Sequence, residues 1–500
     1  MELNIKLENI ENNNRYKVSV DTLYDIENQE IFIGETEISH IDKEKNPNIK
    51  SILFETPIKT KIFYERVQFL KFCVKNLDTN KIFKYKYPLI NVISNKKSPI
   101  VKKFNGEETL VINANVNNIL KEIIQINLYL HKNNSHLFRD ENFYYKIEVE
   151  NRKGRSAKLI FKSFEQKFKK KNSMELSKYL LNANRINLHF DEFDNKNLIF
   201  SLIMNDTELN EETVVEKVTL SYSELNKNST INFNKNGNLN FELITKSLRN
   251  YSFHDYLNYG FNLCVGMAID FTSSNRHPTN EKSFHYWFGV NENPYERAMK
   301  ICLRISSQYD KDNKYPLYGY GAIPPGETNV NHCFNLNFKY DAEISGIDNC
   351  IKVYREALNK LTFKSPTYLT PCLREFIKEF KKTSYDLCNY GTLLILTDGN
   401  TNDRKEFIDA IVEASYLPLS IIIVGVGTAD FKKMEIFDAD NSRLVDSKGK
   451  YAFRDILNFV PFEKFKHDTK SLGDEFFFEI PTQITEYFAL KGIKPHHLKK

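Results

Sequence analysis

Two kinds of hydrophobic pattern divide the chain. Through residues 1–250, apolar positions alternate with polar ones in short runs such as ELNIKLENI, VQFLKFCVKNL, QINLYLHK, YYKIEVE, KLIFKSF and NLIFSLIM. A period of two places successive side chains on opposite faces of a strand, one buried and one wet. Runs this short, broken by Asn, Lys and Asp, predict all-β sandwiches. The region has room for two, with a seam expected between Lys97 and Glu108.

Beyond residue 250 the pattern changes. Phe261–Ile269 (FNLCVGMAI), Thr392–Leu396 (TLLIL) and Leu419–Val426 (LSIIIVGV) are continuously apolar. Such runs belong to parallel strands covered on both faces. Between them, Tyr295–Tyr309, Gly346–Lys360 and Arg404–Tyr416 carry the apolar spacing of amphipathic helices. Strand–helix alternation predicts a doubly wound α/β domain.

Composition narrows the class. Apolar residues make up 41% and aromatics 13% of the 500 residues, too apolar for a disordered chain. The longest apolar run, Leu417–Gly427, is well short of the roughly 18 residues of a spanning helix. The start, MELNIKLENI, lacks the basic and apolar regions of a secretory signal. Seven cysteines with no C-x-x-C pair argue for a reducing compartment, and against a zinc site or disulfide framework. The net charge of +5 says little, but Asn151–Lys171 holds nine basic residues against one acidic. Such a stretch suits anionic lipid or nucleic acid, or a solvated strand-and-loop face.

Candidate chemistry lies at strand ends, where ligands of open α/β sheets bind. The first buried run enters Asp270-Phe271-Thr272-Ser273-Ser274, the second ends in Thr397-Asp398-Gly399, and Ser365-Pro366-Thr367 precedes a helical segment. Asp270, Thr272, Ser274, Thr367 and Asp398 form an all-oxygen set suited to Mg²⁺ or Mn²⁺. Alternation in an extended, exposed loop is expected to point Asp270, Thr272 and Ser274 the same way, so that Asp270→Ala leaves the fold intact. Asp-x-Thr also suits a helix N-cap and Thr-Asp-Gly a turn, but three such sites at neighbouring strand ends favour the metal. Gly425-Val426-Gly427 reads as a turn, His285 as a packing residue, and His496 and His497 as solvated. No Ser/His/Asp or Cys/His set has nucleophile spacing, and no phosphate loop with its lysine is present.

The D-x-T-x-S pattern resembles the metal-ion-dependent adhesion site of von Willebrand factor A-type domains, with Thr272 for the usual first Ser. The stretches AIDFTSSN, YPLYGYGA, LTDG, LPLSIIIVGVGTADF, RDILNFVPF, EIPTQITEYFALKGIKP and YSFHDYLNYGFNL resemble the copine family. Copines place two C2 domains before this module. TEISHIDKEKNPNIKSILFETPI and FYERVQFLKFCVKN look like the first, and LFRDENFYYKIEV with NLIFSLIMND like the second.

The resemblance implies two C2-like sandwiches, residues 1–100 and 106–245, then an A-type domain, residues 251–493. It implies a cytoplasmic, peripherally membrane-associated adaptor that binds phospholipid and, through Mg²⁺, a protein partner offering an acidic side chain. No nucleic-acid partner and no enzymatic activity are expected. The calcium loops are depleted: Asp78 has little acidic company in the first, while Asp140, Glu141 and Asp206 remain in the second, where Met204-Asn205-Asp206-Thr207 replaces W-D-x-D. Calcium needs six to eight oxygens, so calcium-dependent docking is in doubt and Lys167, Lys169, Lys170 and Lys171 become the membrane-binding candidates. The rival readings are a Mg²⁺-dependent phosphoryl-transfer or hydrolytic enzyme and a cytosolic scaffold without membrane binding.

Overall fold

The structure, a computed structural model, describes residues 1–10, 14–24, 29–39, 50–94, 99–116, 122–132, 141–149, 157–163, 165–168, 173–176, 179–181, 197–206, 211–225, 230–233, 239–249, 251–287, 292–383, 386–438 and 444–498. The first β-rich part is a sandwich of two antiparallel sheets. One has the order Ser51–Leu53, Glu2–Glu8, Glu108–Asn115, Ile100–Asn105, and the other Gln29–Glu35, Tyr16–Tyr24, Gln68–Asn76, Ile82–Pro88. Strict alternation in Tyr16–Tyr24 and Gln68–Asn76 buries Val18, Val20, Leu70, Phe72 and Val74 against Leu3, Ile5 and Leu110.

The expected seam falls inside this sandwich. Glu108–Asn115 pairs with Glu2–Glu8 along its whole length and forms a hairpin with Ile100–Asn105 through Gly106. Leu110 and Ile112 belong to the first core, so residues 100 and 106 do not separate two domains. The next strand, Glu122–Lys132, opens a second sandwich. Its sheets run Ser173–Glu175, Glu122–Lys132, Leu239–Arg249, Thr230–Phe233 and Lys158–Lys162, Asn142–Val149, Asn197–Asp206, Glu211–Ser221.

The remaining chain is α/β. Its sheet has the order Phe334–Asn335, Lys314–Tyr320, Asn262–Asp270, Asn389–Thr397, Leu419–Gly425, Leu457–Pro461, and all but the first of these strands are parallel. Asn262–Asp270 splits its side chains between two cores. Leu263, Val265, Met267 and Ile269 face the side covered by the helices Pro294–Ser306, Ile347–Leu358, Thr469–Phe477 and Ile480–Leu490. Cys264 and Ala268 face Thr370–Thr383 and Arg404–Ala414. Burial on both faces explains the unbroken apolar runs.

The first sandwich packs on this part. Tyr64 meets Phe253 edge to face at 5.2 Å, the Tyr309 hydroxyl donates to the Tyr64 carbonyl at 2.6 Å, and Arg66 pairs with Asp474 through two nitrogens at 2.8 and 2.7 Å.

Candidate functional site

Asp270 ends its strand with no exposed surface. Its Oδ1 accepts the Thr272 N–H at 2.8 Å and its Oδ2 the Thr397 hydroxyl at 2.9 Å. The segment that follows is not the extended loop expected. Thr272 is extended (φ −69°, ψ 155°), but Ser273–Asn275 make a turn of 3₁₀ helix. That turn brings the Thr272 and Ser274 hydroxyls to 2.9 Å, and Ser274 donates to Asp398 Oδ1 at 2.8 Å. Asp270 and Thr272 lie at the buried bottom of the arrangement, and Ser274 at its exposed mouth.

Thr367 reaches the site by a different route. Lys364 pairs with Thr272 in a parallel bridge, its carbonyl accepting the Ser273 N–H at 2.8 Å. The Thr367 N–H donates to Asn402 Oδ1 at 2.9 Å, and the Asn402 N–H returns to the Thr367 carbonyl at 2.8 Å. No hydrogen bond ties the Thr367 hydroxyl to the other four residues. Asp403 accepts the Leu369 and Thr370 N–H groups and the Thr401 hydroxyl, which fixes the start of helix Thr370–Thr383.

Three contributors escaped the sequence reading. Thr397 holds the far oxygen of Asp270, and its place in Thr397-Asp398-Gly399 was the available signal. Gly321 (φ +74°) packs on Thr272, where a Cβ would lie 2.3 Å from Thr272 Cγ2; glycine alone permits both the backbone and the approach. His285, expected to pack, is wholly buried and stacks on Tyr295 at 4.1 Å between ring centroids. It also bonds the Asp270 carbonyl through Nε2 at 2.8 Å and Tyr354 OH through Nδ1 at 2.6 Å. Burial pushes its pKa down to about 3, so the ring is neutral.

The two carboxylates sit together without a cationic side chain among the described residues. Burial raises Asp270, and burial with the charge of Asp270 pushes Asp398 up to about 7. Two buried like charges raise each other's pKa unless a cation offsets them. Carboxylates joined through hydroxyls, with one hydroxyl at the surface, fit a small hard cation. Among the described residues no group of three or more His, Cys, Asp or Glu is placed to hold a metal. This set, three of its five residues being hydroxyl donors, is of another kind.

The β-rich candidates fare differently. Asp78 is held by Arg15, through Nε at 3.0 Å, Nη2 at 2.8 Å and the backbone N–H at 2.6 Å. Asp206 ends strand Asn197–Asp206 opposite Glu211, while Glu141 precedes strand Asn142–Val149. Asp140 lies outside the described residues, as do Lys169, Lys170 and Lys171; Lys167 is exposed on the short strand Gln166–Lys167.

A parallel sheet with helices on both faces and a hydroxyl–carboxylate chain at its strand ends defines an A-type α/β domain. Residues 283–496 match the copine family model, and this part of the chain is a copine domain. Solved structures are similar in part. Proximal thread matrix protein 1 from the mussel byssus is 14% identical over 43% of this chain and 46% of its own, with a TM-score of 0.27. Manganese-loaded Plasmodium vivax TRAP protein is 13% identical over 43% and 72%, with a TM-score of 0.27. The calcium-bound pair of C2 domains from Extended-Synaptotagmin 2 is 10% identical over 49% and 95%, with a TM-score of 0.18. At these scores each is a partial likeness only.

Proposed function

We propose that the chain is a copine-like, membrane-associating adaptor whose A-type domain binds a protein partner through Mg²⁺ or Mn²⁺. The observation that carries this reading is the chain of hydrogen bonds from Asp270 and Thr272 through Ser274 to Asp398, which brings together two buried carboxylates with no cationic side chain beside them among the described residues. Asp270, Thr272, Ser274, Thr367 and Asp398 would hold the ion, Asp398 through water. When bound, Mg²⁺ supplies an open coordination position that an acidic side chain of a partner fills. Thr397, His285 and Gly321 hold the Asp270 and Thr272 oxygens in place. On this reading the set holds an ion and carries out no turnover.

Membrane attachment, on this reading, follows charge rather than calcium. Asp78 is already neutralised by Arg15, which removes the first sandwich's acidic candidate, and Lys167 stands exposed on the second.

Calorimetry with MnCl₂ on the purified chain tests the metal reading. One equivalent of Mn²⁺ is expected to bind, with loss in Asp398→Ala. Unchanged binding in that variant overturns the site, and ATP or phosphoester hydrolysis that vanishes with it overturns the adaptor.

A further inference from the structure

The loop at the mouth of the site carries an arginine in a conformation that suits glycine. Arg276 ends the 3₁₀ turn Ser273–Asn275 with φ 64° and ψ 161°, a region populated almost only by glycine because a Cβ crowds the backbone there. Its neighbours hold it in place. The Arg276 N–H donates to the Ser273 carbonyl at 3.1 Å, and its carbonyl accepts the hydroxyl of the buried Ser283 at 3.0 Å. Asn275, just before it, is wholly buried and accepts the Tyr295 hydroxyl at 2.8 Å. With Asn275 turned inward, Ser274 and Arg276 stand exposed on either side of it. The guanidinium makes no hydrogen bond or ion pair among the described residues, and Glu281 is the one acidic residue between Phe271 and Trp287. A second cation stands on the facing loop. Lys364 pairs with Thr272 in the parallel bridge, and the neighbouring Ser365 hydroxyl meets that of Ser273 at 2.6 Å. Lys364 is exposed, and its ammonium has no carboxylate within ion-pair distance among the described residues.

We propose that Arg276, with Lys364 on the facing loop, is the second half of the partner site and takes a second carboxylate, so that the ligand is a peptide segment with two acidic side chains rather than one. The proposal rests on the metal reading above, in which the first carboxylate completes the coordination of the ion. A peptide seated there lies over the exposed Ser274, and Arg276 follows Ser274 by two residues along the turn. An acidic residue a few positions along that peptide then meets the guanidinium or the ammonium. Guanidinium binds carboxylate through two parallel hydrogen bonds, which fix orientation as well as charge. Within the chain, glycine at position 276 would keep both backbone hydrogen bonds and lose no polar contact, so what the arginine adds lies outside the chain. A strained residue that its surroundings hold at the mouth of a site is the mark of a ligand clamp.

The test uses the full chain in MnCl₂ and fluorescein-labelled Gly-Ser peptides that carry one Glu, or two Glu spaced one to four positions apart, with binding read by fluorescence anisotropy. At least one two-Glu peptide should bind roughly fivefold tighter than the one-Glu peptide, the worth of a well-placed exposed ion pair. Arg276→Gly and Arg276→Gln should each abolish that preference and Lys364→Gln should weaken it. All three should bind Mn²⁺ as the wild type does by calorimetry. The two Arg276 variants part in their folding. In EDTA, Arg276→Gly should melt about 2–4 °C above the wild type because the crowding is relieved, whereas Arg276→Gln retains it and should not. Equal binding of one-Glu and two-Glu peptides, no peptide binding by the Mn²⁺-loaded chain, or a preference unchanged in any of these variants overturns the proposal. So does Arg276→Gly melting at or below the wild type, since the arginine would then carry no strain. A wild type that binds no Mn²⁺ overturns the metal reading itself, and this proposal with it.

Discussion

Replacing Asp270 by Asn separates metal binding from folding at the proposed site. Asp270 is wholly buried, not on an exposed loop, so Ala is the wrong neutral substitute. It removes the acceptor of the Thr272 N–H and of the Thr397 hydroxyl. One buried donor left without a partner costs about 1–3 kcal/mol, and the emptied space adds to it. Asn keeps the Thr272 bond through Oδ1. Its Nδ2 then donates to Thr397 Oγ1, whose own hydrogen turns to the Gly399 carbonyl 3.2 Å away. Both contacts survive, and a buried negative charge disappears. In EDTA, Asp270→Asn should therefore melt at or above the wild-type temperature, and Asp270→Ala below it. Metal reverses the order. An ion at about 100 times its dissociation constant stabilises the wild type by about 2.7 kcal/mol. That is a rise of about 5–10 °C for a domain of some 250 residues, and Asp270→Asn should show none of it. Differential scanning calorimetry in EDTA and in MnCl₂ measures all three proteins. A full Mn²⁺-induced rise in Asp270→Asn, or a melt in EDTA as low as that of Asp270→Ala, refutes the reasoning.

Other perturbations probe other parts. Asp310 Oδ2 is buried without a hydrogen-bond partner and burial pushes the pKa up to about 7; the folded state then holds the proton more tightly than the unfolded one, so stability falls as pH rises from about 4 to 7. Asp310→Asn should thus raise the melting temperature at pH 8 and leave it nearly unchanged at pH 4; an equal effect at both would contradict the assignment. The Arg66–Asp474 pair joins the first sandwich to the copine domain, and a double-mutant cycle with Ala at both positions should give a coupling of about 1 kcal/mol by denaturant unfolding, zero coupling being the adverse result. Phosphatidylserine liposomes should hold the chain in EGTA and release it in 1 M NaCl, where the screening length falls to about 3 Å. Gln at Lys167, Lys169, Lys170 and Lys171 should weaken that binding comparably, whereas attachment that waits for micromolar Ca²⁺ would restore a calcium role to residues such as Asp206.

The α/β half was legible because burial on both faces leaves no ambiguity of period. The helix expected at Arg404–Tyr416 is seen at Arg404–Ala414, and the one at Tyr295–Tyr309 begins a residue early, at Pro294, capped by Asn293. The sandwiches were legible in kind but not in extent. The strand Glu108–Asn115 reads as locally as any other alternating run, and only its long-range pairing with Glu2–Glu8 assigns it to the first sandwich. At the site, strand ends located Asp270 and Asp398, since strands carry their last residue to the sheet's edge. What the pattern could not carry was the 3₁₀ turn that brings Ser274 beside Thr272, or the contact of Gly321 with Thr272 across the sheet. The contact joins atoms close in space and remote in sequence, and the turn, though local, is held by the distant Lys364 carbonyl that accepts the Ser273 N–H.

The docking of the first sandwich bears on how the proposed site works. Tyr309, whose hydroxyl meets the Tyr64 carbonyl, receives the N–H of Leu263 on its own carbonyl at 2.9 Å. The contact therefore lies at the entry end of strand Asn262–Asp270, and Asp270 at its exit. Seven residues at about 3.3 Å each separate the two ends by about 23 Å. The described contacts of the sandwich at Tyr64 and Arg66 therefore lie at the end of the strand opposite to Asp270. Tyr64 and Ile90 also pack against the core behind the sheet, alongside Phe253 and Tyr309. The sandwich is thereby part of what holds the strand whose far end carries Asp270. Loosening Arg66 or Tyr64 should lower the stability of the copine domain while leaving the hydroxyl–carboxylate arrangement itself intact, which places the two ends of one strand under separate control.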